Sequence, residues 1–420
     1  MRSTSARIRT LARLGHRDAC THYLRALGLL DEGAAARVDL LLELGAAHER
    51  TGMSDLSMDS YREAADLSRS GSDMVKLAAA ALGMQSLGQR SGADNVEVRE
   101  LLRTTAQQLE ATQGPSGLQS RVLSALTRVL RHGSTPGSTT ELMATATRAI
   151  KLATSAGNAH ALATAKLAMH DAMWTPGTAR SRLPVIDEML DAALTCGDAD
   201  LIAEAHLLRA TALLELGDPA GRDQLVTYIE HASQLGHARG RWGALTRRAT
   251  YAQLAGQTEE AARFGEEGLE LGLAIGEPDA VGCFCTSRWS LVALGVRELD
   301  HVLDDADPLW PLFPLVNAWP FAARGEAAEA AAILGDFSVV AIGAPIDLEQ
   351  LAIAAAVFAV AGSDDQRTWV YDQLRPYAGT HVIVGGCAAY HAALDPPPRD
   401  PGRIPRQPRR RQGTLPRRRH

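Results

Sequence analysis

Chemistry in a chain of 420 residues begins with what its reactive side chains can reach. There are only three lysines (Lys76, Lys151, Lys166), and none follows a glycine. The phosphate-cradling loop G-x-x-x-x-G-K-[ST] is therefore absent, which removes P-loop ATPase and kinase chemistry. Of the thirteen histidines no two lie three or four residues apart, so no helix presents a two-histidine metal edge. His381, Cys387 and His391 fall close together and could share a metal only if their segment folded back; cap and packing roles are the expectation. Cys283 and Cys285, two apart on an expected helix, point in different directions and read as small buried hydrophobes. The serine-bearing turns GPSG and GSTPG do not match the nucleophile elbow G-x-S-x-G. Glu259-Glu260 and Glu266-Glu267, with Arg263 between them, read as solvated helix surface with i,i+4 pairing. No catalytic, cofactor-binding or metal-ligating residue is nominated.

Composition narrows the class further. The chain is 46% hydrophobic but only 5% aromatic, so its core must be made of Ala, Leu and Val, which suits close-packed helices. The formal charge of −6 hides an asymmetry: residues 395–420 carry nine Arg against two Asp, leaving a strongly acidic body. Such a body is poorly suited to tracking a phosphate backbone, and direct DNA binding by it is not expected. Five scattered cysteines imply no disulfide framework and fit a reducing compartment. The N-terminus lacks an apolar signal core, and the most apolar run, Leu351 to Ala361, is about half the ~20 residues a membrane span needs. A cytoplasmic protein with no membrane partner is expected.

The elements that must position any site are helical. Ala249 to Gly272 (ATYAQLAGQTEEAARFGEEGLELG) describes two helices and a turn at Gly256-Gln257-Thr258. Helix-ending glycines recur at Gly52, Gly88, Gly133, Gly217, Gly256, Gly295, Gly325 and Gly362, with a weaker member at Gly177; their spacing centres near 39. Seven residues before the glycine stand Gly45, Ala81, Ala210, Ala249, Ala318 and Ala355, small residues that let paired helices approach, with Leu126 and Arg288 as exceptions. The repeat at 37–69 resembles the tetratricopeptide pattern, with His48 and Ser57 as departures. The expected fold is all-α, an α-solenoid of about eight or nine tetratricopeptide-like hairpins: an N-terminal helix pair over 1–36, repeats over 37–200 and 201–394, and a disordered Pro/Arg-rich tail over 395–420. His381 to Gly385 (HVIVG) reads as an irregular connector, and GGCAAYHAAL as the first turn of a further helix. Because the tail begins abruptly in that segment, a shifted reading frame is one explanation of it.

In a stack of such repeats, side chains six residues before the turn glycine line the concave face: Thr211, Thr250, Trp289 and Trp319. Thr250, Trp289 and Trp319 are the candidate groove residues, with Trp310, Phe313 and Phe321 nearby, and groove aromatics suit a peptide or small effector. The alternative is that the tryptophans fill space left by the short repeat between Gly295 and Gly325.

LLRATALLELGDPAGRDQL, RWGALTRRATYAQLAGQTEEAARFGEEGLELGLAIGEPDA and YDQLRPYAGTHVIVGGCAAYHAAL resemble the helical-repeat region of large actinobacterial transcriptional regulators. Those combine an AAA-type ATPase, a tetratricopeptide-like array and often a LuxR-type helix-turn-helix. The resemblance spans most of residues 6–394 and implies a non-enzymatic interaction or effector-sensing module connected with transcription. Nothing here corresponds to the ATPase or the helix-turn-helix. A stand-alone scaffold and a truncated product without independent activity are the alternatives.

Overall fold

The computed structural model describes residues 2–31, 35–88, 95–133, 137–293, 313–342 and 348–394. The proline- and arginine-rich tail, Gly295 and Trp310 lie outside them.

Among the described residues the chain forms an α-solenoid of eighteen α-helices. The first nine are α1 (Arg2–Gly28), α2 (Ala35–Thr51), α3 (Ser54–Ser70), α4 (Met74–Ser86), α5 (Val96–Ala111), α6 (Ser116–His132), α7 (Thr139–Ser155), α8 (Ala159–Met173) and α9 (Ala179–Cys196). The rest are α10 (Ala199–Glu215), α11 (Ala220–Gln234), α12 (Ala238–Leu254), α13 (Thr258–Ala274), α14 (Ala280–Ala293), α15 (Phe313–Arg324), α16 (Ala327–Leu334), α17 (Leu348–Ala361) and α18 (Asp364–Leu374). Helix α1 is a single helix of 27 residues where a pair was expected; no proline interrupts it, and one internal glycine, Gly15, does not break a helix.

Local chemistry sets the boundaries. Asp73, Asn95, Asn158 and Asp198 each accept a hydrogen bond from the main-chain N–H three residues on, starting α4, α5, α8 and α10. Ser363 and Gln366 form a reciprocal capping box at the start of α18. At the other ends, Gly157, Gly177, Gly197, Gly217, Gly236, Gly256 and Gly276 all adopt positive φ and recur every 19 or 20 residues. From α7 to α13 the 39-residue period is thus two helices long, each helix being followed by a left-handed glycine, whereas Gly133 is extended with negative φ and the turns after α3 and α5 use Ser72 and Gln113.

Packing follows the small-residue register. Ala81, Ala210, Ala249 and Ala318 are buried, and a Cβ on Gly45 would sit 2.7 Å from the Tyr61 ring. Gly83 on α4 approaches the same ring so closely that its Cβ would lie 2.5 Å away, so Tyr61 of α3 is clasped between two glycines. The solenoid also meets itself. Ser54 Oγ donates to the Ile275 carbonyl at 2.8 Å, and Arg239 Nη1 donates to the Ser86 carbonyl at 2.6 Å. The turns after α2 and α4 therefore touch the stretch from α12 to α14.

The C-terminal segment departs from expectation. His381–Val384 (β1) and Ala389–Ala393 (β2) pair antiparallel, with Ile383 opposite Tyr390 and a bulge between Val382 and Ile383. The connector reading of 381–385 and the helical reading of GGCAAYHAAL are both corrected: the segment is a β-hairpin. It lies inside the solenoid, with Val382, Ile383, Val384, Ala388 and Ala389 all buried. A strand covered on both faces shows no polar–apolar alternation, and tertiary contacts override the helix propensity of its alanines.

Candidate functional site

The concave face of the second half is built by α10, α12, α14, α15 and α17, and the hairpin occupies it. Thr211 and Thr250 are completely buried, and Trp289 and Trp319 are almost so. Thr250 Oγ1 donates to the Cys387 carbonyl at 2.7 Å. Thr211 Oγ1 lies 3.2 Å from Cys387 Sγ, and the Trp319 ring packs on His391 with centroids 4.7 Å apart. The register six residues before the turn glycine therefore does mark one continuous inner surface, but that surface is covered by the chain itself. Trp289 shares an apolar cluster with Trp319, Leu291, Leu315, Val357 and Phe358.

Helix α12 carries the closest contacts. Arg247, Thr250 and Gln253 stand at three-residue steps and face the hairpin along one edge. Arg247 Nε donates to the Gly386 carbonyl at 2.8 Å, and Gln253 Oε1 accepts from the Tyr390 amide at 3.2 Å. Gln253 Nε2 donates to the Ser287 hydroxyl at 2.9 Å and to the Ser287 carbonyl at 3.2 Å, which turns the amide so that its oxygen faces the strand. All three contacts read main chain. Sequence reasoning placed Thr250 here but missed Arg247 and Gln253, whose i−3 and i+3 spacing from it was visible.

Arg247 is buried and lies over the rings of Tyr228 (5.9 Å) and Trp242 (5.8 Å). Its Nη1 donates to Thr246 Oγ1 at 2.7 Å. No described carboxylate comes within salt-bridge reach of it. Burial pushes the Cys283 and Cys387 thiols up to about 12 and the His391 imidazole down to about 3, so all three are neutral at pH 7. Among the described residues neither ring nitrogen of His391 has a hydrogen-bond partner, nor has Nε1 of Trp289 or Trp319. Each such buried group costs on the order of 1–3 kcal/mol. His381, Cys387 and His391 are directed to three different neighbours (Tyr390, Thr211 and Trp319), and among the described residues no group of three His, Cys, Asp or Glu could hold a metal ion.

The same register applied to Gly177 points to Asp171, which the sequence reading passed over. Asp171 is buried, and its Oδ2 accepts from Arg128 Nε at 2.8 Å and His132 Nε2 at 3.2 Å. Its Oδ1 lies 3.1 Å from His170 Nδ1, while His170 Nε2 lies 3.2 Å from Arg182 Nη1. Arg182, fully buried, pairs with Glu215 and lies 4.9 Å over the Trp174 ring. Burial alone would raise the Asp171 carboxyl, but the Arg128 charge and the imidazole hydrogen bonds outweigh it and hold the carboxyl well below its usual range. Burial lowers the His170 pKa, which fits a neutral ring donating from Nδ1 and accepting at Nε2. Both carboxylate oxygens of Asp171 are engaged by protein donors, and the cluster ties α6, α8, α9 and α10 together.

Among the described residues no helix is long and apolar enough to cross a membrane. In comparisons with known proteins, no family model and no curated protein matches the chain.

Proposed function

We propose that the protein is a non-enzymatic helical-repeat module that binds a partner segment or small effector on its concave face. We connect it with transcriptional regulation of the AAA-ATPase and LuxR type, through the resemblance of its repeats. The observation that supports binding is that the inner face holds a length of polypeptide, whose main chain is contacted by Arg247, Thr250 and Gln253. Peptide recognition by other repeat proteins uses the same concave geometry. The connection with a regulator rests on the resemblance alone.

A quantitative pull-down from host lysate tests the reading, with wild type and Trp289→Ala/Trp319→Ala as baits and thermal melts to establish that both are folded. A partner recovered by wild type, lost by the variant and reproduced with purified components supports it, and one carrying an ATPase or DNA-binding module supports the regulatory link. Recovery of the same partners by both folded baits overturns the groove.

A further inference from the structure

The seam where the solenoid meets itself is tight enough to shape its own electrostatics. A Cβ on Gly52, in the α2–α3 turn, would lie 2.7 Å from Ile275 Cγ2, and one on Gly276 would lie 3.3 Å from Ser54 Cβ. Gly88, just past α4, leaves room for Arg239, whose Nη2 would stand 2.6 Å from an added Cβ. Ser54 on the Ile275 carbonyl and Arg239 on the Ser86 carbonyl complete the contact. Charged groups enclosed between surfaces this close lose part of their water.

Two carboxylates converge there on one guanidinium. Glu277, in the turn before α14, is nearly buried and accepts from Arg239 Nε at 3.0 Å and from Nη2 at 3.3 Å. From the other side Glu49, half-buried near the end of α2, is hydrogen-bonded to Tyr61 and Ser86 and also feels the Arg239 charge. The charges around them are mixed. Asp200 acts on Glu49 and Asp279 on Glu277; against these stand Arg247 and His237, the latter paired with Asp200 at 2.7 Å. On the N-terminal side Arg50 and Glu43 of α2 act on Tyr61, and His16 of α1 feels Arg50 and His237.

Burial is the largest influence on both acids and pushes their carboxyl groups up, in Glu277 against the pull of its own ion pair with Arg239. Such an acid takes up a proton more readily in the closed seam than in water. Its contribution to closure is complete below the usual carboxylate range, near pH 4–5, and is lost as pH rises through the raised value. His16 and the buried His48, both lowered by burial, work in the opposite sense, and their contribution is lost as pH falls below about 6.5.

We infer that the seam is a proton-linked latch: Glu49 and Glu277, crowded around the single Arg239, take up a proton as pH falls from neutral and tighten the contact of the α2 and α4 turns with the stretch from α12 to α14. The latch is independent of what the groove binds. It gives the fold an acid response opposite in sign to that of Asp171, whose hydrogen-bonded carboxylate is lost on acidification.

Hydrogen exchange of the full chain at about pH 7.5 and about pH 5.5 tests it, read as protection factors, which divide out the intrinsic pH dependence of exchange. Protection of amides 52–54 and 276–277 should rise roughly threefold or more on acidification, while α8 and α9 stay level. In Glu49→Gln/Glu277→Gln, which keeps both side-chain shapes, the rise should vanish. In Arg239→Met, which leaves the two acids without their shared cation, overall protection should fall but its rise on acidification should steepen. Seam protection that is level or falls with acid in the wild type, which needs no variant to fold, overturns the latch. A rise of equal size in the double glutamine variant overturns the assignment to these two acids, and a shallower rise in Arg239→Met overturns the role given to the guanidinium.

Discussion

Replacing Asp171 by Asn keeps the shape of the side chain and removes its charge. In the wild type the carboxylate takes hydrogen bonds from Arg128 at 2.8 Å, His132 at 3.2 Å and His170 at 3.1 Å. Removing one partner of a fully buried ion pair costs about 3–5 kcal/mol. Arg128 and His132 are about a third exposed and can recover part of their hydration, so the expected cost at pH 7 is about 2–4 kcal/mol. The charge also makes the cost pH-dependent. The folded-state pKa lies below the unfolded value, so the stabilisation is complete above the unfolded carboxylate range, near pH 4–5, and is lost as pH falls further through the folded value. The gap between wild type and Asp171→Asn should therefore be widest at pH 6–7 and narrow progressively below about pH 4. Native-state hydrogen exchange at amides of α8 and α9 measures the local free energy directly, which suits an array that need not melt in one step. A gap that is the same at pH 7 and pH 3, or smaller than about 0.5 kcal/mol at pH 7, refutes the assignment of Asp171 as the charged centre of this network.

Three other perturbations have defined outcomes. Thr250→Val removes the donor to the buried Cys387 carbonyl and should loosen the hairpin by about 1–2 kcal/mol, read as roughly tenfold faster exchange of its amides with little change in α6–α9. Gly83→Val drives a side chain into the Tyr61 ring and should destabilise by about 1–3 kcal/mol in urea unfolding; adding Tyr61→Ala should make the double change cost less than the sum of the two. Arg239→Ala removes the donor to the Ser86 carbonyl and the 3.0 Å contact with Glu277, and should speed exchange of amides 52–54 and 276–277 together, measured in one experiment.

The helical hairpins were legible because their signals are local. A left-handed turn favours glycine, and close helix packing favours a small residue seven positions earlier; both hold at Gly217 with Ala210 and at Gly256 with Ala249. The inner-face register was legible for the same reason, since 3.6-residue geometry carries Thr211 and Thr250 onto one side. The hairpin was not. Its strands are hidden on both faces, and their Val-Ile-Val and Ala-Ala runs describe burial without direction; what decides them is the main-chain contact from Arg247, Thr250 and Gln253, more than 130 residues away. The charged cluster escaped because its members come from four helices.

The 2.8 Å contact from Ser54 to Ile275 changes the mechanics of the array. In an open stack of repeats a disturbance passes only to the next neighbour and fades along the row. Here the row is bent into a circuit. A displacement of α12, the helix that grips the hairpin, reaches the N-terminal repeats by two routes: slowly attenuated through the helices between, and directly across the seam where Arg239, on α12 itself, holds the Ser86 carbonyl at the end of α4. The N-terminal repeats are in this sense joined to the helix that holds the hairpin, and residues 51–54 and 86–88 are where its displacement would be felt farthest along the chain from its cause.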